Sequence, residues 1–284
     1  MGIGRGCRIF GDHRLKNPNW KVSEDAILHE YYPYKYAGDL VTLLPGRTKS
    51  GIKTRAERLG IKKSLLYRPP KTKYTLNHSF FSFPSTESCY WAGFLAADGC
   101  ITNNRQLRLA LSTNDRQHLE VFRDTLQYTG EIVYNIPQPI GEYFRDDLRI
   151  SSPQVLYDLE TTYSITPRKT LTLMPPSIRE LKYVLPFIAG FIDGDGCIHI
   201  KDESYLGIAF VGTYSMMRWI KGWVEELTSG KYRIPKIQPH GKVFQFCLIG
   251  ERAERFLTRI YNQTYKEAPL LARKWNIFLE YIRS

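Results

Sequence analysis

The chain lacks paired cysteines and long apolar runs, and it is short of acidic charge. Each shortage removes a class of protein. Its five cysteines, Cys7, Cys89, Cys100, Cys197 and Cys247, form no CxxC pair. Their odd number and wide spacing argue against a disulfide framework or a zinc cage, and fit a reducing cytosol. No uninterrupted apolar stretch approaches the ~20 residues of a membrane span. The opening MGIGRGCRIFGDHR has no apolar core of the kind a secretory signal requires. A soluble, intracellular protein is expected. Hydrophobic content of 43% and charged content of 24% are ordinary, which excludes disordered and fibrous classes.

Acidic residues number 28 against 40 Lys and Arg, a formal net charge of +12. Such an excess favours polyanionic partners through counterion release and long-range attraction. Nucleic acid leads that class, with anionic lipid or plain solubility as alternatives. The charge is unevenly placed. Residues 1–73 hold 16 Lys and Arg against 6 Asp and Glu, so +10 of the +12 lies in the front quarter.

That front quarter reads as a small helical module. Ser23 offers an N-cap to EDAILHEYY, where Ala26, Ile27 and Tyr31 recur at helical spacing, and Pro33 ends the helix. A second short helix is expected around Tyr36 to Leu44. Leu44-Pro45-Gly46 then makes a sharp turn before Thr48, the N-cap of a third helix, KSGIKTRAERLG, which Gly60 terminates. Ile52, Ala56 and Leu59 share one face of this helix. Lys49, Lys53 and Arg58 project elsewhere, and Arg47 stands just before it, as a major-groove recognition helix would need. The spelling Trp20, Glu24, Asp25, Leu28, Tyr32, Pro33, Leu44 to Thr48, Ile52, Arg55, Ala56 and Leu59 to Ile61 resembles Myb/SANT-like helix-turn-helix modules. The alternative is a helical trimer that binds protein, its basic residues merely solvated. Residues 64–86, rich in Pro, Ser and Thr, read as a basic linker.

Beyond the linker the chain repeats itself. WAGFLAADG at Trp91 to Gly99 and IAGFIDGDG at Ile188 to Gly196 start 97 residues apart. Each introduces the same pattern of helix, two strands, helix, two strands, helix. The second set of strands includes CIHIK, YLGIAFVGT, YRIPKI and KVFQFCLIG.

In each motif small residues fall four apart, Gly93 with Ala97 and Gly190 with Gly194, so the two helices are expected to press their backbones together. Their C-terminal residues would then be Asp98 and Asp195, each followed by a glycine, Gly99 or Gly196, suited to a left-handed C-cap. A carboxylate is misplaced there, because unpaired carbonyls and the macrodipole already make a helix C-terminus negative. Doubling it calls for a cation. A hard divalent ion such as Mg²⁺, held by carboxylate and carbonyl oxygens, satisfies that demand, and phosphodiester hydrolysis is chemistry it supports without a cysteine or histidine nucleophile. A single Asp-Gly would be read as turn chemistry alone. Two near-identical copies carry the catalytic reading.

These motifs resemble those of the LAGLIDADG homing endonucleases, across about 200 residues from Glu87 onward. The resemblance implies an α+β fold: two pseudo-symmetric αββαββα halves, 87–182 and 183–284, form a DNA-binding saddle, preceded by the all-α module at 1–63. It implies a monomer with internal pseudo-two-fold symmetry that binds double-stranded DNA and makes a staggered double-strand break at a long target. Asp98 and Asp195 take the family's metal-ligand position, with the backbone carbonyls of Ala97 and Gly194 as further metal contacts. Mg²⁺ is the implied cofactor, with Mn²⁺ or Ca²⁺ able to substitute in binding. ITPRKTLTLMPP with Lys169 and APLLARKW with Lys274 look like the family's basic active-site element, charged to stabilise phosphate or order water. Two departures stand out: Ala96 where the second copy has Asp193, and Trp91 where an aliphatic residue is usual.

DNA readout is expected from strand residues on the face away from the helices: Arg108, Arg145, Arg149, His199, Lys201, Lys231, Arg233, Gln238, Lys242 and Gln245. A competing class is a binding protein without cleavage, either a group I intron maturase, with intron RNA as partner, or a regulator on the same scaffold. An intein is disfavoured because the sequence ends EYIRS, without the His-Asn of splicing elements.

Overall fold

The computed structural model describes residues 19–64, 74–138, 143–201, 204–228 and 233–283, and the chain divides into two compact units, residues 1–64 and 65–284. In the first unit, helix α1 (Val22–Tyr31) and helix α2 (Lys49–Arg58) enclose Leu28, Ala37, Leu40, Leu44 and Ile52, with Trp20 and Tyr32 at the edge of this core. Thr48 caps α2 as its sequence suggests, its hydroxyl accepting from the Gly51 N–H at 3.1 Å. Gly60 leaves the helix at φ +69°, a conformation that a side chain disfavours. Two expectations fail here. The N-cap of α1 is Lys21 rather than Ser23, because the Glu24 carboxylate turns back to accept the Lys21 N–H at 2.8 Å. The helix expected over Tyr36 to Leu44 is only the 3₁₀ turn Asp39–Val41.

The second unit is α+β. Its first half runs α3 (Thr86–Ala97), β1 (Cys100–Ile101), β2 (Leu107–Ser112), α4 (Arg116–Thr125), β3 (Ile132–Pro137), β4 (Phe144–Ile150) and α5 (Pro153–Tyr163). The second half runs α6 (Leu181–Asp195), β5 (Cys197–Lys201), β6 (Tyr205–Gly212), α7 (Tyr214–Leu227), β7 (Gln238–His240), β8 (Val243–Ile249) and α8 (Glu251–Thr264). A further helix, α9 (Ala272–Arg283), follows and was not foreseen. Each half contributes one antiparallel sheet, ordered β1-β2-β4-β3 and β5-β6-β8-β7. The strand expected at YRIPKI is also displaced: described residues 233–237 are irregular, and pairing with β8 begins at Gln238.

Alternation along β2 explains the layering. Leu107, Leu109 and Leu111 turn inward while Arg108, Ala110 and Ser112 face out. The helices cover the inner faces of both sheets, and one continuous apolar core joins the halves. At its centre lie α3, buried without a break from Ser88 to Ala96, and α6, buried from Val184 to Asp193. Helices apolar on every side can be stable only when surrounded in this way.

Candidate active site at the paired helix ends

The contact between α3 and α6 depends on glycine. A Cβ on Gly93 would stand 1.9 Å from the Phe187 carbonyl oxygen, and one on Gly190 would stand 1.9 Å from the Tyr90 carbonyl oxygen. Both helices therefore touch through backbone. The contact continues to their ends, where a Cβ on Gly194 would come within 2.2 Å of the Ala97 Cβ. Ala97 and Gly194 immediately precede the two acidic residues, so Asp98 and Asp195 emerge side by side.

The glycines after them serve a different purpose from the one expected. Neither Gly99 nor Gly196 has a positive φ; Asp98 is a right-handed C-cap, and Gly196 is extended at φ −76°, ψ 159°. They are small because the departing chain crosses its own helix end. A Cβ on Gly99 would lie 2.6 Å from the Leu95 carbonyl oxygen, and one on Gly196 would lie 2.7 Å from the Ile192 Cα.

Both carboxylates reach solvent, but protein crowds their remaining sides. That loss of solvation, followed by the charge of Asp195, pushes Asp98 up to about 6, with Lys274 and Lys169 opposing. Desolvation raises Asp195 as well, against the same two lysines. Among the described residues neither aspartate accepts a hydrogen bond or forms an ion pair. The cluster is electrostatically incomplete.

The lysines fill a role that the sequence did not suggest. Lys169, on a 3₁₀ turn (Lys169–Leu171) and 8% exposed, donates to the Ala97 carbonyl at 2.7 Å. Lys274, in the first turn of α9 and 7% exposed, lies within 2.9 Å of the carbonyls of Ile192, Asp193, Gly194 and Gly196. Each ammonium thus caps the C-terminus of a motif helix, satisfying orphan carbonyls and offsetting the macrodipole. Burial lowers both lysine pKa values, opposed by the nearby aspartates. The carbonyls of Ala97 and Gly194, nominated as metal contacts, therefore already accept a lysine each, with a second lone pair remaining.

Asp193, which stands where the first motif has Ala96, has a part that the sequence does not reveal. It is 1% exposed and accepts from the Tyr90 hydroxyl, the Leu271 N–H and the Trp275 indole N–H, each at 2.8 Å. These bonds tie α3, α6 and the start of α9 together, and α9 carries Lys274. Burial raises Asp193 to about 7, with its donors opposing. His118 stands 3.0 Å from the Tyr90 hydroxyl and is driven down to about 4 by burial. No sequence motif links Tyr90, His118 and Trp275; only the tertiary contacts do.

The nominated contact residues are scattered. Arg108 and Arg149 lie on the outer face of the first sheet and converge on Asp147. Arg145 lies on the same face, its Nε buried without a hydrogen-bond partner among the described residues. On the second sheet, His199 lies across Gly207, while Gln238 and Gln245 pair across β7 and β8. Lys242 is exposed in the turn between those strands, and Arg233 is exposed before β7. Lys231 and the side chain of Lys201 lie outside the described residues.

In the first unit Lys53 and Arg58 are exposed, and Lys49 is exposed with its ammonium hydrogen-bonded to the Tyr36 hydroxyl. Arg47, expected to contact DNA, is instead held within its own unit. Its guanidinium makes paired bonds to Glu24 at 2.8 and 2.7 Å and stacks 4.4 Å from the Trp20 ring, so it is committed to the core of its own unit.

Among the described residues no three His, Cys, Asp or Glu side chains converge as a metal cage, and no helix is long and apolar enough to cross a membrane. No protein-family model matches the chain, and no curated protein does. Among solved structures, the chain is similar to the I-LtrWI LAGLIDADG homing endonuclease bound to target DNA, at 12% identity and a TM-score of 0.42, covering 72% of this chain and 90% of that one. It is similar to the LAGLIDADG homing endonuclease I-GzeII in complex with its DNA target, at 11% identity and a TM-score of 0.45, covering 71% and 89%. It is also similar to full-length DUF199/WhiA from Thermatoga maritima, at 11% identity and a TM-score of 0.43, covering 78% and 64%.

Proposed function

We propose that the chain is a metal-dependent, site-specific endonuclease that acts on double-stranded DNA, its two sheets lying along the duplex and its paired helix ends meeting the backbone. One observation carries the reading: the touching ends of α3 and α6 present Asp98 and Asp195 together, with neither carboxylate paired. Two carboxylates with free oxygens fit Mg²⁺, which commonly takes one or two carboxylates and completes its shell with water and substrate phosphate. When bound there, the ion would supply water activation and leaving-group stabilisation. Asp98 and Asp195 would hold it, with the free lone pairs of the Ala97 and Gly194 carbonyls nearby. Lys169 and Lys274 fix the helix ends and add positive charge beside the place where the phosphate would lie. The resemblance of both nine-residue motifs to LAGLIDADG sequences supports a staggered double-strand break. The first unit would add Myb/SANT-like DNA contacts through Lys49, Lys53 and Arg58, raising affinity for a long target.

The test uses purified protein, Mg²⁺ and a genomic allele that lacks the insertion, comparing wild type with Asp98→Asn and Asp195→Asn. Cleavage by wild type and its loss in both variants is expected; cleavage that survives both substitutions refutes the mechanism. A second reading, DNA binding without cleavage, is favoured by the lysine caps, which satisfy the helix-end carbonyls without a metal. It predicts tight, Mg²⁺-independent binding and no cleavage by wild type.

A further inference from the structure

The outer faces of the two sheets differ in how their charged side chains are paired. On the first, antiparallel register places Arg108 opposite Arg149 and Ala110 opposite Asp147, so that the two arginines flank a single carboxylate. Asp147 is 1% exposed although it belongs to the outward face, because the arginines cover it. Arg108 Nε lies 2.9 Å from both Asp147 oxygens, and its Nη2 lies 2.9 Å from Oδ2. Arg149 approaches Oδ2 through Nη2 at 3.0 Å and Nε at 3.3 Å. On the second sheet the outward positions include Cys197, His199, Ala209, Gln245 and Cys247, with Lys201 at the end of β5, and none of the described ones is acidic.

An acidic residue on a DNA-facing surface repels phosphate, so Asp147 is misplaced if the arginines serve only as charge. Its geometry suits another purpose. Both guanidiniums spend the Nε–Nη2 edge on the carboxylate, which leaves the Nη1–Nη2 end free. That end offers two parallel N–H donors, the pattern that meets O6 and N7 of guanine in the major groove. Side-chain exposures of 26% for Arg108 and 56% for Arg149 keep those ends reachable. Two long side chains held by one carboxylate also lose less rotamer freedom on binding.

Resting on the DNA-binding reading above, we propose that Asp147 is a specificity-determining positioning residue that clamps Arg108 and Arg149 for guanine recognition, and that only the half-site met by the first sheet is read in this way. Among the described residues the second sheet has no acidic residue held between two outward arginines, so its half-site would be read by other contacts.

The experiment selects binders from random-sequence double-stranded DNA in Ca²⁺ with the full-length chain, comparing wild type, Asp147→Asn and Arg108→Lys. Wild type should enrich at least one guanine on one side of the site centre. Asp147→Asn removes a negative charge and should hold or raise total DNA affinity while cutting the guanine preference about tenfold. Arg108→Lys keeps the charge and leaves Asp147 paired with Arg149, so folding is spared; it should lose preference at one position with affinity retained. The proposal is overturned if both variants enrich the wild-type motif unchanged, or if the wild-type motif has no guanine that either variant alters. A wild type that enriches no sequence and binds no DNA removes the DNA-binding reading itself, and this one with it.

Discussion

Replacing Asp98 by asparagine should make the metal-free protein more stable while abolishing the proposed DNA cleavage. The carboxyl rises from an ordinary 3.8 to about 6 because protein crowds it and Asp195 repels it. A rise from 3.8 to about 6 corresponds to about 3 kcal/mol at 1.36 kcal/mol per decade. The group is exposed enough for solvent to screen much of that, so about 1 kcal/mol is expected. The sign follows from linkage: a folded-state pKa above the unfolded value means that the ionised form is penalised in the fold. The penalty is absent below about pH 4, grows between pH 4 and 6, and is complete above 6. Asp98→Asn should therefore unfold about 2–4 °C higher than wild type in EDTA at pH 7.5, and the gap should close at pH 4. On the proposed mechanism Mg²⁺ should reverse the order, because the variant lacks one of the two carboxylates that would hold the ion. Thermal unfolding followed by circular dichroism, with and without Mg²⁺, measures all three. An asparagine variant no more stable than wild type in EDTA at pH 7.5 would refute the claim that the helix ends hold an uncompensated negative charge.

Gly93→Ala should prevent folding of the larger unit, since the new methyl would lie 1.9 Å from the Phe187 carbonyl oxygen and backbone has no room to yield. Gly222→Ala, inside α7 with nothing within 4 Å, should instead stabilise by about 0.5–1 kcal/mol, and denaturation curves distinguish the two. Tyr90→Phe removes one donor from buried Asp193 and should cost about 1–3 kcal/mol; an unchanged melting temperature would show that the network is not structural. Substituting Lys49, Lys53 and Arg58 together by alanine should flatten the dependence of log K on log salt, by about 0.9 for each phosphate that is no longer neutralised. An unchanged slope would remove the first unit from the DNA interface.

The central helices were legible because their signal is local and repeated. Spacing of Gly93 with Ala97 and of Gly190 with Gly194 anticipates a backbone-close pair, and the structure has that pair. The left-handed turns expected at Gly99 and Gly196 do not form, because a glycine after a helix answers two demands, positive φ or close approach, and sequence does not separate them. YRIPKI misleads for a related reason: β-branched residues fit a strand, yet pairing with β8 begins only at Gln238. Arg47 reads as a free cation in the sequence, but Glu24, 23 residues earlier, is its partner. Charge counted along a chain overstates charge available to a ligand wherever such pairs form.

The same distinction bears on the metal. Two negative helix ends imply a need for cations, and electrostatics alone does not say which. The structure answers part of that need with Lys169 and Lys274, but their ammoniums are directed at carbonyls rather than at carboxylates. They satisfy the helix dipoles and leave Asp98 and Asp195 unpaired. A lysine turned onto an aspartate would neutralise the carboxylate and leave the helix-end carbonyls without a donor; the observed placement does the reverse. Their placement on the carbonyls keeps the carboxylate oxygens open, which is what the proposed metal site requires.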